Sequence, residues 1–241
     1  QRRPRGTLTV HLSPPDAMPA FALRFVGQEA LPARLSEFDL EQFFTLLSDD
    51  VAAIRAQFRS DHRLPAALML LFMRVAGRPL DGFNVLPRSL LRKTAEALAV
   101  SPPSIASLRS IYKRRQTLSK HQLWAKTYLG LRELEPDDEA ALTAALLAQA
   151  ADSSHSDDLI RSACQWLFTR RILIPGARRL QDWARGAFAT VEAQILIEVN
   201  AAVPPSAASR VIGSAYSARP GGDNTHLKWL KTPSKRHGPS T

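Results

Sequence analysis

Between Tyr112 and Gly130 the chain reads YKRRQTLSKHQLWAKTYLG, and Lys113, Arg114, Arg115, Lys120 and Lys126 stand there without one acidic residue. The chemistry open to such a run is non-covalent. A row of cations neutralises phosphates and releases their counterions, so affinity falls with salt at a log-log slope of roughly −0.9 per duplex phosphate contact. Gln116 and Thr117 lie among these cations and can supply donors and acceptors to base edges or phosphates, with His121 as a further candidate contact. Read as a helix, Lys113, Arg114, Gln116, Lys120 and Gln122 cannot all point inward, whereas Leu108, Ile111 and Leu118 can. The cationic side therefore meets either a ligand or, as the plainer alternative, only solvent.

Two further arginine pairs, Arg170-Arg171 and Arg178-Arg179, bracket Ile172-Leu173-Ile174-Pro175-Gly176. Helices meeting at a Pro-Gly turn with paired Arg on each shoulder resemble a helix-turn-helix corner, whose side chains reach adjacent phosphates. Arg63 and the tail cations Lys231, Lys235 and Arg236 complete the candidate DNA-contact set. Catalytic constellations are weaker: there is no Gly-rich phosphate loop, HExxH, GxSxG or metal-spaced His/Cys set. The acidic run ELEPDDEAAL offers carboxylates for paired Mg²⁺, but Pro136 followed by Asp137, Asp138 and Glu139 is what a helix amino terminus favours. Cys164 falls on an apolar helix face, His62, His121 and His155 are isolated, and Trp124, Trp166 and Trp183 lie in helical patterns as core. No catalytic residue, metal site or cofactor is expected in this chain.

The elements that must position these residues are helices. The 241 residues carry 32 Lys and Arg against 22 Asp and Glu, a net charge of +10 that points toward a polyanionic partner. A single cysteine excludes an internal disulfide framework and a thiolate zinc cluster, and a reducing cytoplasm is expected. The longest apolar run, LPAALMLLFM from Leu64, is far short of the ~20 residues of a spanning helix, so no membrane contact is expected. Residues 1–34 read as an irregular, proline-punctuated leader. Helical patterns follow from Ser36 with Asp39 as a near capping box, from Ser48 or Asp49, through Leu64 to Gly77, and from Ser101 or Ser104. The basic stretch is either a continuation of that last helix or a new one capped by Thr117 or Ser119 and ended by Gly130. These patterns predict an all-α chain: one helical module over 35–101, a second over 102–203, and a basic extended linker over 204–241. Charge is sorted in blocks, seven Lys/Arg from Ala97 to Arg132, eight acids from Glu133 to Asp158 and five Arg from Leu159 to Gln181, which implies segments with separate electrostatic duties.

In order and spacing, RLPAALMLLFMRVAGRPL, YKRRQTLSKHQLWAKTYLG, WLFTRRILIPGARRL and THLKWLKTPSKRHGPST resemble successive landmarks of the amino-terminal region of Tn-three-type transposases, the replicative class II family. The similarity runs from about Leu35 to Thr241. It implies a helical region carrying DNA-binding modules for the terminal inverted repeats of a transposon. It also implies that strand transfer, with its DDE triad and Mg²⁺, belongs to a later RNase-H-like domain that this chain lacks. The expected partner is double-stranded DNA, with self-association in a synaptic complex. The competing expectation is a helical pairing module with only generic DNA affinity.

Overall fold

The computed structural model describes residues 20–83, 85–217 and Thr225. Among them ten α-helices follow one short 3-10 turn at Ala20–Leu23, so the chain is all-α. Two compact units divide between Ala187 and Phe188, not after Ser101. The reason lies in the packing of the first unit, whose core runs without a break from Phe25 to Ala125.

That unit contains α1 (Glu37–Gln42), α2 (Ser48–Gln57), α3 (Ser60–Ala76), α4 (Arg88–Leu98), α5 (Ile105–Tyr112), α6 (Arg115–Leu129), α7 (Pro136–Ala150), α8 (Ser156–Thr169) and the first part of α9 (Ala177–Ala202). Every residue from Leu64 to Met73 in α3 is buried, the pattern of a helix enclosed on all sides. α2, α4 and α6 pack against it. α3 begins earlier than its apolar run, so Pro65 lies inside the helix and not in its first turn. Gly77 ends α3 and Gly130 ends α6, both in the left-handed conformation that favours glycine. At Gly77 a Cβ would also meet Phe168 at 2.8 Å, so helix termination and close packing demand the same residue.

Caps follow the sequence at two starts and depart from it at two. Ser36 and Asp39 form the reciprocal box, and the Ser104 hydroxyl accepts from the Ser107 N–H. At α2 the N-cap is Leu47, whose N–H donates to the Asp50 carboxylate at 2.8 Å, instead of Ser48 or Asp49. α8 begins at Ser156 after His155. α6 is a new helix that starts at Arg115, ahead of Thr117 and Ser119, leaving only Lys113 and Arg114 between it and α5. The acids of α7 do act as a helix start: Pro136 occupies the first turn and Asp138 accepts from the Glu135 N–H.

Residues 20–34, expected to be irregular, contribute Phe25 and Leu31 to the core. Gly27 N–H donates to the Ala76 carbonyl at 2.9 Å, and Arg78 donates to the Gly27 carbonyl while pairing with Glu29 at 3.1 Å. A Cβ on Gly27 would lie 2.7 Å from Cys164 Sγ, which places this segment hard against α8. Burial pushes the Cys164 thiol up to about 11 despite the nearby Arg78 guanidinium, consistent with a core residue. In the second unit, the remainder of α9 leads to α10 (Pro205–Tyr216), which buries no residue. Among the described residues no single helix is long and apolar enough to cross a membrane.

Asp50 is 1% exposed and binds three elements at once: Arg74 Nη2 at 2.6 Å, the Tyr128 hydroxyl at 3.0 Å and its own cap at Leu47. Burial pushes its pKa up, but the bonds from Arg74, Leu47 and Tyr128 outweigh that and hold it below the usual carboxylate range. Replacing Asp50 with Ala is expected to lower unfolding free energy in urea by about 3 kcal/mol, since it leaves the Arg74 cation and the Leu47 N–H without their partner. Because the native pKa is depressed, the contribution is complete above the unfolded value of about 3.9 and is lost as pH falls through the native one. The stability gap between wild type and Asp50→Ala should therefore narrow below about pH 4.

Candidate nucleic-acid interface

One of the two shortest connections in the first unit carries its densest positive charge. Lys113 and Arg114 join α5 to α6, Arg115 opens α6, and all three are exposed without an ion pair among the described residues. The amino end of α6 adds free N–H groups and the positive end of its dipole at the same point. What holds the corner in place is Tyr112, turned inward and stacked on Phe83 with ring centroids 4.8 Å apart. Its hydroxyl donates to the Pro65 carbonyl at 2.9 Å and lies 3.0 Å from His121 Nδ1. One hydroxyl proton serves one acceptor, so His121 must carry its proton on Nδ1 and donate it to the tyrosine oxygen. Nε2 is then a free lone pair.

Beside this corner is a groove of about 450 Å³. One wall is the α2–α3 junction, with Gln57, Phe58, Arg59 and His62; the other is the first half of α6, with Gln116, Thr117, Lys120 and His121. The His62 and His121 rings meet edge to face at 5.3 Å, and His62 Nδ1 is buried without a hydrogen-bond partner. Burial, then the charges of His62 and Lys120, lower the His121 pKa to about 4. His121 thus gives the groove a neutral, hydrogen-bond-accepting floor beneath the cations Arg59 and Lys120 at its rim.

The other candidate contacts are spread elsewhere, and several are engaged. Lys126 pairs with Glu133 at 2.6 Å; Arg179 pairs with Glu139 at 2.8 Å and lies over Trp183, whose Nε1 donates to the same carboxylate. Arg171 donates to the Leu129 carbonyl at 3.1 Å, Arg170 stacks on Trp166 at 4.0 Å, and Arg63 donates to the Phe58 carbonyl at 3.0 Å. Arg178 is exposed, and Lys231, Lys235 and Arg236 lie outside the described residues. Arg132 bonds Asp138 with both guanidinium nitrogens and lowers that carboxyl to about 2. Glu133, Asp138 and Glu139 of the acidic block are therefore directed at neighbouring cations.

No helix-turn-helix corner forms at Pro175-Gly176. α8 stops at Thr169, and residues 170–176 run largely extended, with Ile172 and Ile174 buried. The backbone is stitched across: Arg132 N–H donates to the Arg171 carbonyl, Leu173 N–H to Arg132 and Ile174 N–H to Gly77, each at 2.9 to 3.0 Å. Two buried isoleucines, alternating with outward residues, are a strand-like reason for the break. Gln57, Arg59 and His62 were not apparent from sequence as site residues, because only the packing of α6 on α3 brings them to Gln116 and His121.

Fold and site define an all-α domain with a cationic helix–helix corner beside a polar groove. Residues 27–187 match the family described as Domain of unknown function (DUF4158), and the chain belongs to that family. It is also 32% identical over 213 residues to the transposase for insertion sequence element IS1071 in transposon Tn5271 of Comamonas testosteroni, covering 88% of this chain and 22% of that protein. To the transposase for transposon Tn1546 of Enterococcus faecium it is 24% identical over 215 residues, covering 85% of this chain and 20% of that protein. The chain spans about a fifth of the length of these relatives.

The buried imidazole has a measurable signature. Nitrogen NMR of His121 is expected to show the Nδ1-protonated tautomer, neutral down to about pH 4. A native pKa below the unfolded value of about 6.5 makes its stability contribution complete above that pH and lost as pH falls toward 4, a slope that His121→Gln should remove. Tyr112→Phe should cost about 1–2 kcal/mol in urea unfolding, since it leaves the buried His121 Nδ1 proton without its acceptor and removes one bond to the Pro65 carbonyl.

Proposed function

We propose that this chain recognises transposon terminal inverted repeats in duplex DNA, as the amino-terminal, non-catalytic part of a bacterial transposase acting in the cytoplasm. The observation that carries the reading is the α5–α6 corner: three exposed cations without an acidic partner among the described residues, in a chain similar to part of two transposases. Lys113, Arg114 and Arg115 would take backbone phosphates, with Gln116 and Thr117 on the first turn of α6 reaching base edges. Mg²⁺-dependent strand transfer would then belong to the remainder of a full-length transposase. The competing reading, a pairing module with generic DNA affinity, draws on the exposed Ile195, Leu196, Ile197, Val211 and Ile212 of the second unit.

Fluorescence anisotropy with a labelled terminal inverted-repeat duplex against a scrambled one, over a salt series, separates them. End recognition predicts a preference for the repeat that persists at physiological salt. The double variant Arg114→Ala/Arg115→Ala should weaken binding about tenfold or more and reduce the salt slope by about 1.8. Lys126→Ala and Arg179→Ala, whose cations already face Glu133 and Glu139, should change affinity less than about twofold. Equal, salt-sensitive binding to both duplexes would favour the pairing module.

A further inference from the structure

We infer that the groove between the α2–α3 junction and α6 receives one unstacked nucleotide of DNA, its phosphate at the cationic rim and its base against the imidazole floor. This deepens the DNA-binding reading above and rests on it. The cavity, about 450 Å³, falls in the range of about 300–1,000 Å³ typical of small-ligand sites and is roomier than a phosphate alone requires. Its chemistry is layered. At the rim, Arg59 and Lys120 are exposed and make no ion pair among the described residues.

The floor is different. His121 is 1% exposed, its Nδ1 is committed to Tyr112, and its Nε2 has no partner. A lone pair in that position repels a phosphate oxygen and accepts an N–H, which every nucleobase, but no phosphodiester, can offer. Gln57 and Gln116 place one amide on each wall, suited to the remaining donors and acceptors of a base edge. A paired base has that edge occupied and its faces stacked. Only an unpaired nucleotide can enter, and this costs least at a frayed or overhanging end.

The test uses the full chain and two probes: a blunt duplex, and the same duplex with a single-stranded overhang carrying 2-aminopurine. Wild type should bind the overhang duplex about tenfold more tightly, with a change in 2-aminopurine emission on binding. Gln57→Ala and Arg59→Ala, both on the wall opposite α6, should each lower overhang-duplex affinity more than blunt-duplex affinity and so reduce that preference to within about twofold. Equal affinity of wild type for both probes, unchanged emission, or a preference that survives both substitutions would overturn the assignment. Failure of the duplex reading is seen separately, as blunt-duplex binding that is indifferent to Arg114→Ala/Arg115→Ala.

Discussion

A single buried carboxylate, Asp50, ties together the helices on which the site depends. It caps α2 through the Leu47 N–H, holds Arg74 near the end of α3 and receives the Tyr128 hydroxyl from the last turn of α6. Two charges are seldom buried for stability alone, because desolvation opposes their attraction, but a carboxylate with three donors specifies one arrangement of the helices that supply them. Tyr112 makes the second tie, joining α5 to the Pro65 carbonyl of α3 and to His121 of α6. With α6 fixed at two places, the corner at Lys113-Arg114 and the groove beside it become geometric consequences of the core.

The same logic explains why a net charge of +10 is not spread evenly in effect. Glu133, Asp138 and Glu139 stand next to Lys126, Arg132 and Arg179 in space and compensate them. These surface pairs are individually weak, yet they remove three cations from the set that an approaching polyanion meets unopposed. Lys113, Arg114 and Arg115 keep no acidic partner among the described residues, and the dipole of α6 adds to their charge at its amino end.

Much of this was legible in the sequence, and the exceptions have physical causes. The apolar run of α3, the Ser36 and Ser104 caps and the glycine stops at Gly77 and Gly130 are local signals, and local chemistry decides them. Phe25 and Leu31 escaped notice because a segment that docks without a regular helix shows no periodicity. The Ile172–Ile174 segment suggested helices meeting at Pro175-Gly176 because buried apolar runs carry little information on whether they coil or extend. His62 and His121 looked isolated because each is near its partner only through the packing of α6 on α3. The division after Ser101 failed to appear as a unit boundary for the same reason: the helices on either side share one core.

Helix α6 is therefore two things along its length. Its carboxy-terminal half is clamped, by Tyr128 to Asp50, by Lys126 to Glu133 and by Trp124 packed on Phe58 at 5.0 Å. Its amino-terminal half presents Arg115, Gln116 and Lys120 outward while His121 reaches under them into the core. A helix anchored at one end and exposed at the other aims its free end without leaving it free to drift, which is the property a DNA-reading element needs if phosphate contacts are to set the register for base contacts. On the proposed function, the buried polar bonds of Asp50 and Tyr112 are thus positioning devices: they contribute little directly to a DNA complex, and they determine where every contact in it is made.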